Sequence, residues 1–329
     1  MSLNYPIQLF YEDINPDRWV PFDRYPRGWL RWIFRGAPRI GGQTRVFLNL
    51  KAGLDKLGVA YRINDYAYAK QHPQEAVGIV GKPQLLDRIK WKNPILFGAA
   101  VFSHPTDDPT LFERLPVKRV LVPGPWMKDI WDPFWGDRVA YWPVGIDTDS
   151  WCHQPQVSKE WDVLLYNKIR WFVPEREMDI LFPIRAWLKN KNIRFTEIKY
   201  GEYNEEDYHR LLVRSRSMIF LCEYETQGIA YQQALSTGVP IMAWDAGGEW
   251  VDPYYYPRIR CGSVSSVPYW DDRCGIRFKD FDDFQKKWDL FYPCLSQGCF
   301  NPRRYILDHL TLEKAAKDYL YHLEAVQNA

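Results

Sequence analysis

The stretch Glu225-Thr226-Gln227-Gly228-Ile229-Ala230-Tyr231-Gln232-Gln233-Ala234-Leu235-Ser236-Thr237-Gly238-Val239-Pro240 decides how this chain folds. It follows the apolar run 217–221, so it leaves the carboxyl end of a strand and opens a helix. Gly228 allows the backbone to approach a ligand, and the unpaired N–H groups and positive dipole of a helix start favour a phosphate there. Glu225 precedes the helix. Gln233 lies more than a turn inside it, and because helical side chains tilt toward the N-terminus it can reach back toward whatever the loop holds.

Outward from this turn, the chain alternates short apolar runs with amphipathic stretches. Strands are expected at residues 7–11, 77–80, 95–101, 119–122 and 139–142, and a helix at 44–57 with Val46, Leu50, Leu54 and Leu57 on one face. A polar stretch, 147–160, follows as a linker, after which the rhythm restarts. Strands are expected at 163–166, 193–198, 218–221 and 241–243, with helices at 178–188, 205–213 and from Gly228. The pattern is that of an α/β protein with two doubly wound, Rossmann-like domains facing across a cleft. The domain limits expected are 1–145, 146–304, and a C-terminal helical segment, 305–329, that crosses back to pack on the first domain.

Composition narrows the function classes. The 329 residues suit two domains, and 46% apolar residues suffice for two cores without any run of about 20 that would span a membrane. The N-terminus lacks a signal-peptide pattern, so the expected location is cytoplasmic, with contact at the inner face of a membrane as a further option. The net charge of +2 predicts no nucleic-acid partner. Six cysteines stand at 152, 222, 261, 274, 294 and 299 with no CxxC pair, and read as buried or free thiols. Asp147-Thr148-Asp149 could bind a metal on another fold, but at a domain junction it reads as structural, so no metal is expected.

With these residues in view, the quoted stretch resembles the E-x7-E signature of retaining GT-B glycosyltransferases of family 4. There an acid, a Gly three on, a second acid, an Ala and a G-x-P turn recur. Glu225 matches the first acid, which in that family holds donor-sugar hydroxyls. Gln233 stands where the family has the ribose-binding acid, and an amide still accepts a hydrogen bond there without charge. Thr226, Gln227, Gly228 and Ile229 would line the donor site.

Further segments follow in the family's order. Ile40-Gly41-Gly42-Gln43-Thr44-Arg45 is similar to its GGxxR loop, which makes Gly41, Gly42 and Arg45 donor-binding candidates. The stretch 140–147 is similar to its inter-domain crossover, and 244–249 to the turn after the G-x-P strand. Residues 163–170 match the first strand of its second domain, after which basic residues neutralise the leaving diphosphate; Lys168 and Arg170 fill those positions, with Arg176 in reserve. His104 ends a first-domain strand where the family often carries an acceptor-side residue.

The resemblance implies transfer of a sugar from a nucleotide-diphosphate sugar to a glycan, lipid-linked or small-molecule acceptor, in polysaccharide or glycoconjugate biosynthesis. It also implies retention of configuration and no cofactor besides the donor substrate. Two alternatives stay open. One is a non-catalytic nucleotide- or glycan-binding protein, favoured by Gln233. The other is an inverting transferase with His104 as general base. Finally, residues 18–39 hold six arginines and three tryptophans with a single acid, Asp23, a mix suited to an anionic lipid surface. Co-sedimentation with anionic vesicles, lost on replacing Trp29, Arg31 and Trp32, tests that reading; protein left in the supernatant at low salt refutes it.

Overall fold

The computed structural model describes residues 5–12, 20, 26, 41–99 and 102–329. The membrane expectation for 18–39 therefore falls almost wholly outside the described residues. The chain forms two compact units, one of residues 1–122, 134–142 and 316–329, the other of 123–133 and 143–315. Residues 123–133, expected in the first domain, thus belong to the second unit.

The first unit is built on six parallel strands: β1 (Ile7–Phe10), β2 (Tyr61–Ile63), β3 (Val77–Ile79), β4 (Ile95–Gly98), β5 (Val117–Val122) and β6 (Val139–Tyr141), in the order β2-β1-β3-β4-β5-β6. The four residues of β1 are all buried, as an interior parallel strand covered on both faces requires, whereas the edge strand β2 is largely exposed. The helix Gly42–Lys56 sets Val46, Phe47, Leu50 and Leu54 into the core; Leu57 is its C-cap and is only half-buried.

The C-terminal helical segment expected over 305–329 is not one continuous helix. It breaks at Leu310–Thr311 into Pro302–His309 and Leu312–Gln327. From Ala316 onward the second of these packs within the first unit, where Tyr319 is fully buried with its ring edge-on to Trp142, centroids 5.1 Å apart. Gly78 makes room for it: a Cβ there would lie 2.1 Å from the Tyr319 hydroxyl.

The second unit has five parallel strands: β7 (Trp161–Asn167), β8 (Phe195–Lys199), β9 (Ser215–Leu221), β10 (Ile241–Trp244) and β11 (Gly275–Phe278), ordered β11-β10-β9-β7-β8. The alternation along the strands divides the core in two. Leu164, Tyr166, Met218 and Phe220 face one cluster with Tyr208, Tyr231 and Leu235. Val163, Leu165, Ile219 and Leu221 face the other with Ile184, Phe284 and Trp288. The helix expected at 178–188 begins earlier, at Val173–Arg176, loosens into a π turn over Glu177–Leu181, and resumes as Phe182–Asn190. No described helix is long and apolar enough to cross a membrane.

Candidate active site

In a parallel sheet ligands gather at the carboxyl ends of the strands, and four charged side chains of the second unit come together there. β7 and β9 are neighbours, with Asn167 opposite Leu221, so the residues that follow each strand emerge side by side. Lys168 and Arg170 leave β7; Glu223 and Glu225 leave β9.

Lys168 and Glu225 meet in an ion pair, and each residue is only 8% exposed. The Lys168 ammonium also stands 4.2 Å from the centroid of the Tyr200 ring. Burial opposes its charge and is the largest single influence, but the Glu225 carboxylate together with Cys222 and Tyr200 holds the lysine above its ordinary range. Beneath the pair, the buried Cys222 thiol lies 3.8 Å from Glu225 Oε1. Burial, reinforced by Glu225, pushes that thiol far up, so it is no nucleophile at neutral pH.

Arg170 is held by its own loop. Its guanidinium donates to the Tyr224 carbonyl at 3.0 Å and lies over the rings of Tyr224 and Trp171, 5.3 and 5.7 Å from their centroids. The Trp171 indole in turn donates to the Tyr224 hydroxyl at 2.8 Å. Among the described residues the buried Arg170 Nε has no partner. Glu223, which the sequence reading did not single out, fixes the loop backbone. Its buried carboxylate accepts the N–H groups of Arg170 and Trp171, both at 3.0 Å. One residue further on, Phe172 sits in the left-handed region at φ 48°, a strained conformation for a bulky side chain. Arg176 lies apart from these groups, its guanidinium over the Trp244 ring, 5.6 Å from the centroid.

The loop after Glu225 behaves as expected in backbone and differently in side chains. Gly228 has φ 78° and caps the helix Ile229–Ser236, and a Cβ there would lie 2.0 Å from the Tyr231 ring. The first N–H groups of this helix have no intrahelical partner. Thr226 and Ile229 are half-buried beside it. Gln227 turns inward: its amide oxygen accepts from Val144 N at 3.1 Å, and its nitrogen donates to Gln232 Oε1 at 3.0 Å. Its side chain therefore ties the loop to the 143–147 crossover. Gln233 is also engaged, donating from Nε2 to Glu205 Oε1 at 3.1 Å.

The remaining candidates lie in the first unit. Gly41 caps the helix Gly42–Lys56 without a side-chain bond, and Arg45 N donates to the Gly41 carbonyl at 2.9 Å. The helix opens on two glycines whose Cβ positions meet no described atom within 4 Å. His104 is 1% exposed. It caps the short 3₁₀ turn Pro105–Asp107, with Nδ1 2.9 Å from the Thr106 hydroxyl and its ring edge-on to Phe134. Burial lowers its basicity, only partly opposed by Asp107. This is a structural cap, not an accessible general base, and a short turn-forming sequence after a strand does not reveal the difference.

Asp147 is consumed by its own turn, accepting from Asp149 N, Ser150 N and the Ser150 hydroxyl. Among the described residues no group of three or more His, Cys, Asp or Glu side chains converges as a metal site would require.

No protein-family model and no curated protein matches the sequence. Solved structures do match in fold. Sucrose-phosphate synthase from Thermosynechococcus elongatus is similar over 96% of this chain and 98% of its own, at 12% identity and a TM-score of 0.50. WaaG, a glycosyltransferase involved in lipopolysaccharide biosynthesis, is similar over 87% and 97%, at 12% identity and 0.50. A variant of TarM from S. aureus, crystallised with UDP and α-GlcNAc-glycerol, is similar over 80% of this chain and 58% of its own, at 12% identity and 0.51. The chain thus spans little more than half of TarM and nearly all of the other two. The fold is α/β of the GT-B type, as these glycosyltransferases have it.

Proposed function

We propose that this protein is a glycosyltransferase that takes a sugar from a nucleotide-diphosphate donor, with Lys168, Arg170 and Glu225 at the reacting end of the donor. The observation that carries the reading is the convergence of those three side chains at the carboxyl ends of β7 and β9, on the loop that leads into the Ile229–Ser236 helix. The occurrence of UDP in the TarM crystal supports the donor class.

Breaking a sugar–diphosphate bond builds negative charge on the departing phosphate. Lys168, Arg170 and the helix-start N–H groups are fixed positive partners for it, and preorganised donors of this kind are each worth roughly 3–4 kcal/mol in rate. In the resting protein Lys168 is already neutralised by Glu225, so an arriving diphosphate shares the ammonium and leaves the carboxylate to accept hydrogen bonds from sugar hydroxyls. The resemblance to the retaining enzymes of family 4 implies retention by same-face attack, the departing phosphate taking the acceptor's proton. The inverting reading rested on His104, whose imidazole is buried and capped. A non-catalytic reading keeps one point in its favour, the amide at Gln233 bonded to Glu205.

The test is turnover with a panel of nucleotide sugars, including hydrolysis in the absence of acceptor, on the wild type and Glu225→Gln. Activity in the wild type and its near-complete loss in a folded variant are expected, with no loss on adding a chelator. Absence of both transfer and hydrolysis across the panel, despite nucleotide binding, establishes the non-catalytic alternative.

A further inference from the structure

The helix Phe281–Gln297 buries Phe284, Trp288 and Phe291 in the core of the second unit and ends at Gly298, whose φ is 70°. Its last carbonyls are satisfied by two returning bonds: Cys299 N donates to the Cys294 carbonyl at 3.0 Å, and Gly298 N to the Leu295 carbonyl at 3.4 Å. That pair of bonds, six-to-one outside five-to-two around a left-handed glycine, is a Schellman motif. The motif brings the side chain three residues before the helix's C-cap against the side chain just beyond the glycine, a contact that is ordinarily apolar. Here both positions are cysteine. The two thiols are near enough to influence each other, Cys299 being the first cause raising the Cys294 thiol above its ordinary range, while the Cys299 thiol itself donates to Gln297 Oε1 at 3.9 Å. Cys299 is exposed and Cys294 half-exposed, so an oxidant can reach them. By contrast Cys222 and Cys274 are buried, and burial pushes the Cys274 thiol up to about 12.

We propose that Cys294 and Cys299 form a dithiol modification site that a peroxide oxidises to an intrachain disulfide. One thiolate attacks a peroxide oxygen, giving a sulfenic acid and releasing water. The second thiol then attacks that sulfur, forming the S–S bond and releasing a second water; each peroxide takes up the two electrons that the thiols lose. The backbone bond from Cys299 N to the Cys294 carbonyl sets the two residues across the glycine turn from each other, the arrangement from which a disulfide closes with its Cβ atoms about 3.5–4.5 Å apart. The bond clasps the end of the helix to the segment that runs on through Asn301, whose N–H donates to the Arg273 carbonyl at 3.0 Å. A thiol reductant reverses it.

The experiment treats the fully reduced, full-length protein with hydrogen peroxide, blocks the remaining thiols in urea, and digests with trypsin. Both cysteines fall in the single peptide 288–303, so the disulfide reads as that peptide lighter by two hydrogens and unblocked. We expect this product to form first, to vanish in Cys294→Ser and Cys299→Ser, and to form several-fold more slowly in urea. Gly298→Ala retains both thiols but places a Cβ at a left-handed position, and disulfide formation is expected to slow by roughly fivefold. The inference is overturned if both thiols stay blocked, if either is oxidised singly or joined to another cysteine, or if neither urea nor Gly298→Ala slows closure.

Discussion

Replacing Lys168 by Met keeps most of the apolar stem and removes the ammonium, leaving the Glu225 carboxylate at 8% exposure without its ionic partner. Breaking a buried pair from one side costs about 3–5 kcal/mol, because the remaining charge keeps its desolvation penalty. For a unit of roughly 150–250 residues, 1 kcal/mol corresponds to about 2–4 °C, so the melting temperature of the second unit should fall by about 10 °C. Replacing both partners, Lys168→Met with Glu225→Gln, should restore most of that loss, since a whole pair often breaks even against neutral side chains of similar size.

The pH dependence has a definite sign. Lys168 is held above the ordinary lysine value of 10.5. Its contribution is therefore fully present below the unfolded value and is lost as pH rises through the higher folded one. The gap in melting temperature between wild type and Lys168→Met should be constant across the neutral range and shrink only in strong alkali. Differential scanning fluorimetry of the four proteins of the cycle measures all of this. A single variant that melts like the wild type, or effects that simply add in the double variant, would refute the buried pair. The same numbers require kinetics on Lys168 variants to be run well below their melting temperature.

Two further outcomes follow from the loops around that pair. Glu223→Ala removes the acceptor for two backbone N–H groups, worth about 1–3 kcal/mol, and lets the Arg170 loop drift. We expect kcat to fall at least about tenfold with little change in KM and partial rescue by Glu223→Gln; an unchanged kcat removes the positioning role. Gly228→Ala meets both an unfavourable backbone angle and the Tyr231 ring, and should lower stability by about 2 kcal/mol or more, as read by urea unfolding. A neutral effect would mean the loop does not hold its left-handed turn.

Much of the fold was legible because parallel strands buried on both faces write themselves as short apolar runs. Val163 to Tyr166 and Met218 to Leu221 show no other pattern. What escaped was of three kinds. Strand β2, Tyr61–Ile63, is a short and largely exposed edge with no apolar run. The helix Pro125–Trp135 sets Trp126, Met127, Ile130 and Trp131 on one buried face but begins at a proline and carries Pro133 inside it, which breaks the helical reading in sequence. The helix Phe281–Gln297 carries Pro293, which reads in sequence as a stop.

The site divides similarly. Gly228, Lys168, Arg170 and Glu225 stand out because they are charged or glycine next to strand ends. Glu223 does not, because its role is to accept backbone N–H groups from a loop fifty residues away. Gln227 and His104 differ for the opposite reason. Position suggested a ligand for each, and only the three-dimensional packing shows both bonding to the protein itself.

The eleven residues 123–133 alter how the protein can be taken apart. The Trp126 indole donates to the Glu225 carbonyl at 2.7 Å, the Pro123 carbonyl accepts from the Tyr269 hydroxyl at 2.6 Å, and Gly124 lies so close that a Cβ would sit 2.3 Å from the Thr226 carbonyl oxygen. The loop bearing Glu225 is therefore braced by a piece of chain that comes earlier in sequence, separated from the rest of its own unit by a return to the first sheet. A gene fragment cut at the crossover near residue 143 would encode every strand of the second sheet and still lack that brace. Its stability would then understate that of the same sheet in the intact protein. Supplying 123–133 in trans, or grafting it through a short linker, is the route to an isolated half that keeps Glu225 in place.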